Sequence, residues 1–341
     1  MKLAGNFAAP LQDEDKAIDE IVRISEQQLD KQPLVPRGQH AKHHGCVRGK
    51  FIVEANLPEE MRFGIFKEPS EPFTACIRFS NASGDVEQPD TKDDGRGMAI
   101  KLFVTDEYQE KTQDFVMINH PVFFIRNAID FAEFFKAVEQ SQGKPPLKFF
   151  FPDFNPFKWR LHEFMTAKAI RSHKVVSPLE IEYWSTTPYK LDSKAIKFAV
   201  KPSSENKLSK SASNSPNYLR EAMVEHLNVQ KKQASFDFLV QFQTDVERMP
   251  IEDPTIEWKS PFHKVATIEI PDQSFDSDEQ MRFCEHLSYT PWHSLPEHQP
   301  LGGINRARQK VYEEISKLRH ERNEIPKKEP TEEEFSELFP E

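Results

Sequence analysis

The sequence predicts an α+β fold: a closed antiparallel β-barrel of about eight strands with added helices. Two observations predict it. Strand-like runs recur along the chain without alternating regularly with helices, which argues against a doubly wound parallel sheet. One of these runs, residues 235–242, sets Phe236, Phe238, Val240 and Phe242 at every second position, as a strand with one buried face should. Asp237 and Gln241 between them are polar, with Leu239 the exception. Strand count taken alone leaves other antiparallel layouts open.

In chain order, residues 14–30 carry Ile18, Ile21, Val22, Ile24 and Leu29 at helical spacing on a charged segment. Pro33 and Pro36 break that helix and open an extended arm. Residues 51–53, 73–79, 98–104 and 114–118 read as strands, with the turn signal Asp93-Asp94-Gly95-Arg96-Gly97 between two of them. Residues 123–138 read as a helix, 141–160 as a long connection rich in Gly, Pro and Phe, and 161–172 as a short helix. Strands resume at 195–200, 235–242 and 265–270, with a polar loop exposed at 203–215. The last helix runs from Asn305 to Asn323, and the charged tail beyond it is expected to fray. The expected organisation is a helix and arm over 1–36, one domain over 37–325, and a tail over 326–341. There is no internal repeat.

The chain has 341 residues and a formal net charge of -10, which argues against nucleic acid as a partner. No run approaches the roughly 18 apolar residues of a membrane span. Residues 1–10 lack the apolar core of a secretory signal, so a cytoplasmic location is the expectation. Cys46, Cys76 and Cys284 are scattered and odd in number, and reduced thiols are expected. The 28 phenylalanines against 11 glycines suit an ordinary aromatic core before they suit the wall of a flat cofactor.

Four clusters could carry chemistry. The first is Arg37, His40, Lys42, His43, His44 and Cys46; its spacing matches no common zinc pattern. The second is Arg78-Phe79-Ser80 at a strand end. The third runs from Asp114 through Asn119, His120, Pro121 and Phe124 to Arg126, with Phe131 beyond. The fourth is Arg308 and Tyr312, four residues apart and so on one helix face. Such pairs are usually plain stacking. In a ligand site, however, a guanidinium beside a phenol favours the phenolate.

In their order and spacing these clusters resemble the haem catalase family. Arg37, His40, Ala41 and Lys42 are similar to its distal Arg-x-x-His-Ala-Lys motif, with His43 where the family has glycine. Arg78 to Ser80, the turn from Asp94 to Gly97, Pro121 to Arg126 with Phe131, and Arg308 with Tyr312 match further family motifs. Clear similarity covers about residues 35–135 and weaker similarity 235–325. The resemblance implies a b-type haem between the barrel and a C-terminal helix, with Tyr312 as the iron ligand. It makes His40 the distal acid–base, Ser80 its orienting partner, Arg37, Arg78 and Arg308 the groups for propionates and phenolate, and Phe131 the ring stacked on the porphyrin. It implies hydrogen peroxide or an organic hydroperoxide as substrate.

The chain departs from the family in two places that bear on activity. The family's distal Asn is Ile118 here, and the Val before the distal His is Gln39. Asn119, His120 or Gln39 is left to take the polar role, with Asn119 the expected catalytic residue. Peroxidase-like or organic-hydroperoxide activity is therefore expected ahead of fast disproportionation. Isomerisation or cleavage of fatty-acid hydroperoxides is a branch of the same expectation, with the Phe-rich stretch 147–157 either lining a channel or packing the core. The alternatives are a haem protein without turnover and an interaction module without haem. The short chain lacks room for the family's long arm and C-terminal domain, so NADPH binding is not expected and a smaller oligomer is.

Overall fold

Alternating apolar residues make the 235–242 run a strand, and it becomes one stave of a barrel. The computed structural model describes residues 10–29, 34–68, 72–104, 111–142, 144–207 and 214–340. The expected break at Pro33, the extreme N-terminus and the middle of the 203–215 loop lie outside them. The strands are β1 (His43–Val53), β2 (Phe73–Asn81), β3 (Arg96–Val104), β4 (Lys111–Ile118), β5 (Tyr183–Trp184), β6 (Tyr189–Leu191), β7 (Lys194–Pro202), β8 (Ala234–Phe242) and β9 (Phe262–Ile270). The sheet order is β5-β4-β3-β2-β1-β9-β8-β7-β6, and β5 also pairs with β7. That second pairing, Tyr183 with Val200 and Trp184 with Ala199, closes eight strands into a ring and leaves β6 as a flap on β7. The expected barrel is the observed one.

Phenylalanine fills the barrel. Phe115 meets Phe238 at 4.8 Å and Phe198 at 5.0 Å, and Phe51 meets Phe238 at 5.1 Å, centroid to centroid. These rings come from strands far apart in sequence, and edge and tilted contacts suit their quadrupoles. The core reading of the phenylalanines holds here.

The helices are α1 (Glu14–Leu29), α2 (Ala128–Ser141), α3 (Leu147–Phe150), α4 (Leu161–Ser172), α5 (Tyr218–Val224), α6 (Asp278–His286), α7 (Gly303–Arg322) and α8 (Glu332–Leu338). α1 lays Ile18 and Ile21 against Ala128 and Ala132 of α2 and Ala307 of α7. Arg306 of α7 locks it with ion pairs to the buried Glu14 and to Glu252.

Three expectations are corrected. β1 begins at His43, not near Phe51, because Gly45 and Gly49 let Phe275 and Ile77 press onto the strand and so dilute its apolar pattern. The helix expected from Phe123 starts at Ala128, where the Asn127 side chain accepts from the Asp130 amide. The tail does not fray. α8 has a capping box between Thr331 and Glu334, and Phe335 and Phe339 are fully buried against Phe103 and Phe283. A charged composition hid those anchors. Phe335→Ala should lower stability by about 3–5 kcal/mol, read as a drop in the urea midpoint.

Candidate active site

The cavity that matters lies outside the barrel wall, between β2–β4 and helices α1 and α7. It holds about 400 Å³, within the roughly 300–1,000 Å³ of small-molecule sites. α7 supplies Tyr312, Ile315, Ser316 and Arg319, which share a face because they stand three, four and seven residues apart. Arg37, Gln39, His40, Arg78, Ser80 and Gly97 line the cavity from the barrel side, and Ser25, Gln28 and Leu29 of α1 close one rim. Ala99, Val116, Phe135 and Val311 give apolar wall.

His40 is held in an unusual posture. Its φ is +54°, a left-handed conformation that costs a non-glycine residue on the order of 1–2 kcal/mol. Three contacts hold it there. Its amide donates to the Ala82 carbonyl at 3.1 Å, its carbonyl accepts from Arg78 Nη2 at 2.9 Å, and its Nδ1 meets Ser80 Oγ at 3.0 Å. Gly97 is the floor beneath the ring: a Cβ there would stand 2.5 Å from His40 Nδ1. Burial first, then the charges of Arg78, Arg308 and Arg37, push the imidazole pKa down to about 3. The ring is neutral at physiological pH.

Opposite, the Arg308 guanidinium donates twice to Tyr312 Oη, at 2.8 Å and 3.1 Å, and once to Asn305 Oδ1 at 3.3 Å. Burial would lower the pKa of Arg308, but the Tyr312 and Tyr189 hydroxyls outweigh it and the net direction is up. Arg308 thus backs the phenol from outside the cavity wall.

At one end three guanidiniums converge. Arg37 donates to the Glu285 carbonyl at 3.0 Å and to the Leu287 carbonyl, and Arg319 pairs with the Glu285 carboxylate at 3.0 Å. Burial and the charge of Arg37 pull Arg78 down to about 9 and Arg319 to about 10. Among the described residues Arg37 Nε and Arg78 Nε are buried without a hydrogen bond, although Arg37 Nε lies 4.0 Å from the Glu285 carboxylate. Three cations against one carboxylate leave an excess of positive charge at the cavity wall.

Sequence reasoning and structure differ at three positions. Asn119 is off the cavity wall; its Oδ1 accepts from the Arg96 amide at 2.8 Å and shapes the turn before β3. His120 also points elsewhere, toward the Val122 carbonyl. Of the three polar groups considered, Gln39 is the one on the wall. Phe131 packs edge-on against Phe123 and Phe135 instead of facing the cavity, and Phe135, one turn on, lines it. Arg319 was missed. The signal was available: it follows Tyr312 by two helical turns.

Of the remaining histidines of the first cluster, His43 Nε2 lies 3.7 Å from the Glu285 carboxylate and His44 is tied into the β1–β2 pair. His44 Nε2 meets Asn81 Oδ1 at 3.1 Å, and burial takes its pKa down to about 3. The expectation of reduced thiols is overturned for two cysteines. Cys46 of β1 and Cys284 of α6 form a disulfide across 238 residues, with a Cα–Cα distance of 5.5 Å, while Cys76 is free and buried. The link fastens α6, whose final carbonyls hold Arg37.

These buried neutral histidines make the fold acid-sensitive. His298, whose Nε2 accepts from the Ile65 amide at 3.0 Å, sits near pKa 4 through burial. His40, His44 and His298 all lie below the unfolded value of 6.5. As pH falls below 6.5 the unfolded chain takes protons that the fold refuses, so stability drops until about pH 3 to 4. Each should contribute on the order of 2 kcal/mol of loss by about pH 4.5. Urea midpoints from pH 7 to 4.5 should fall less in His298→Gln than in the parent; equal slopes would count against this account.

The chain is an eight-stranded barrel protein whose outer cavity brings together a phenol-bearing helix, a clamped imidazole and an arginine cluster. The family model described as Catalase matches residues 13–290, and the chain belongs to the catalase family. It is similar to Catalase A of Emericella nidulans, 27% identical over 292 residues that cover 78% of this chain and 38% of that one. It is also similar to Catalase HPII of Pseudomonas putida, 35% identical over 121 residues covering 36% of this chain and 16% of that one. The chain thus spans well under two thirds of the curated relatives' length. Among solved structures, Catalase A from Saccharomyces cerevisiae aligns with a TM-score of 0.67 and 20% identity, covering 94% of this chain and 67% of that one. A fungal catalase aligns with a TM-score of 0.67 and 18% identity, covering 93% and 65%. Among the described residues no helix is long and apolar enough to cross a membrane.

Proposed function

We propose that this cavity binds a b-type haem through Tyr312 and that the holoprotein consumes peroxide, with His40 moving the proton. One observation carries the reading: an arginine-backed phenol and a clamped neutral imidazole share one cavity, beside three guanidiniums. The residues suit the group. The apolar walls fit a macrocycle, and the Arg78 Nε that carries no hydrogen bond among the described residues, with Arg37 and Arg319, fits its two carboxylates.

Haem held by the Tyr312 oxygen would supply an iron centre that takes oxidising equivalents from a peroxide. The chain does the rest. Arg308 stabilises negative charge on the Tyr312 oxygen. Nδ1 of His40 meets Ser80 Oγ at 3.0 Å, and in the tautomer where Ser80 accepts from Nδ1–H, Nε2 is the free base. That nitrogen takes the proton from the near peroxide oxygen and returns it to the far one, so that water or an alcohol departs. Ile118 offers no amide where catalases carry one, and Gln39 reaches the cavity from another side. On that ground an organic hydroperoxide or a peroxidase reaction is favoured over rapid disproportionation.

The test uses protein expressed with haem supply. A Soret band should survive gel filtration, and hydrogen peroxide, an alkyl hydroperoxide and a fatty-acid hydroperoxide should then be compared on that one sample. Colourless protein would sink the haem assignment. Holoprotein that turns over none of the three faster than free haem would sink the enzyme and leave a haem carrier.

A further inference from the structure

We propose that the segment from α3 through α4 docks the protein on a bilayer carrying anionic headgroups. The starting observation is apolar surface gathered in one place. Thirteen large apolar side chains are exposed among the described residues, and six of them, Leu147, Phe154, Phe157, Trp159, Leu161 and Met165, fall between positions 147 and 165. Phe154 is 100% and Phe157 98% exposed. The sequence left the Phe-rich stretch 147–157 divided between channel wall and core. The structure splits it: Phe149 and Phe150 are buried against Phe134, while Phe154 and Phe157 face outward.

The outward rings are not on a slack loop. Asp153 gathers it, accepting at Oδ1 from the Asn155 amide at 2.8 Å, at Oδ2 from Lys158 Nζ at 2.8 Å and at its carbonyl from Trp159 Nε1 at 2.9 Å. Asn155 Oδ1 accepts from the Phe157 amide at 3.1 Å. Arg160 ties the loop's end to the Phe149 carbonyl at 2.8 Å and stacks over the Phe149 ring. A built turn holds two phenylalanines in water, which is unfavourable unless something apolar covers them.

Charge identifies the cover. The chain is acidic overall, yet residues 144–174 hold seven Lys and Arg against two Asp and Glu; Lys158 pairs with Asp153 and Arg160 with Glu133 and Asp130, and the other five stand outside those pairs. Both acids are taken, Asp153 by Lys158 and Glu163 by Arg126. Lys148 and Lys168 are exposed and have no side-chain partner among the described residues. Lys168 stands on the face of α4 that carries Leu161 and Met165, seven and three residues before it. Aromatic tips within a basic rim suit the boundary between acyl chains and anionic headgroups. A second copy is disfavoured, because a two-fold contact would set this basic rim against itself.

The purified full-length protein should cosediment with vesicles of phosphatidylcholine and phosphatidylglycerol at least about tenfold better than with phosphatidylcholine alone, and salt should weaken the binding. The double variant Phe154→Ser, Phe157→Ser should lose that binding by at least about tenfold. The double variant Lys148→Glu, Lys168→Glu should lose the preference for the anionic lipid. Both pairs are exposed, so thermal unfolding should match the parent and report on folding. Absent binding at low salt, equal binding to both vesicles, or unimpaired variants would overturn the proposal. So would a dimer in sedimentation analysis that dissociates when the two phenylalanines are replaced, since the face would then serve a second copy.

Discussion

Tyr312→Phe should purify without a stable haem band, even from haem-replete cells. The substitution keeps the ring and its contacts on α7 and removes one oxygen, so the fold is expected to survive. That oxygen is the one group on the α7 wall with an arginine donating to it twice, at 2.8 Å and 3.1 Å. Without it Arg308 faces a hydrocarbon edge, and a haem iron would have no anionic ligand. Loss of an outer partner at a metal site typically costs roughly 10–100-fold in affinity. Loss of the ligand itself should exceed that, and Arg308→Ala should fall within that range. Haem titration of apoprotein, followed at the Soret band, measures all three proteins. Unweakened binding in Tyr312→Phe would remove Tyr312 as the ligand.

His40→Ala should behave in the opposite way: haem retained, turnover lost by about 100- to 10,000-fold, the usual contribution of a positioned acid–base group. Ser80→Ala should keep part of the rate, because it frees the ring without removing it. The imidazole has its pKa near 3, so the parent's rate should stay flat as pH falls from 7 toward 4. The fold also weakens over that range, so rates must be read before unfolding sets in. A rate that falls with a midpoint near 6.5 would mean that the ring is not shielded as the structure indicates. A His40→Ala holoprotein with parental turnover would take the proton role away from this residue.

Much of the candidate site's geometry was legible because it rests on local spacing. Arg308 and Tyr312 are one helical turn apart, and a turn of helix brings them together whatever surrounds it. Arg78 and Ser80 are two apart on β2, so they share a strand face. Asn119 was expected on the wall because a polar residue next to a family position looks like its replacement. Which way an amide points depends on who needs its hydrogen bond, and the Arg96 backbone took it. Phe131 packs against Phe123 and Phe135 for a related reason. A helix offers a ring on each turn, and the packing of α1 and Phe123 decided that Phe135 would face the cavity.

By itself the sequence determined the strands, the final helix and the set of chemical groups, because alternation, helical period and residue type are local properties. Tertiary structure decided what depended on pairs distant in the chain. The two residues of β5 are too short to signal a strand, yet they close the barrel by pairing with β4 and β7. The Cys46–Cys284 bond spans 238 residues and no spacing rule reaches that far. The low pKa of His40 needs burial beneath three arginines drawn from β2, α7 and the arm. Burial and electric fields are sums over neighbours in space, and only folding supplies those neighbours.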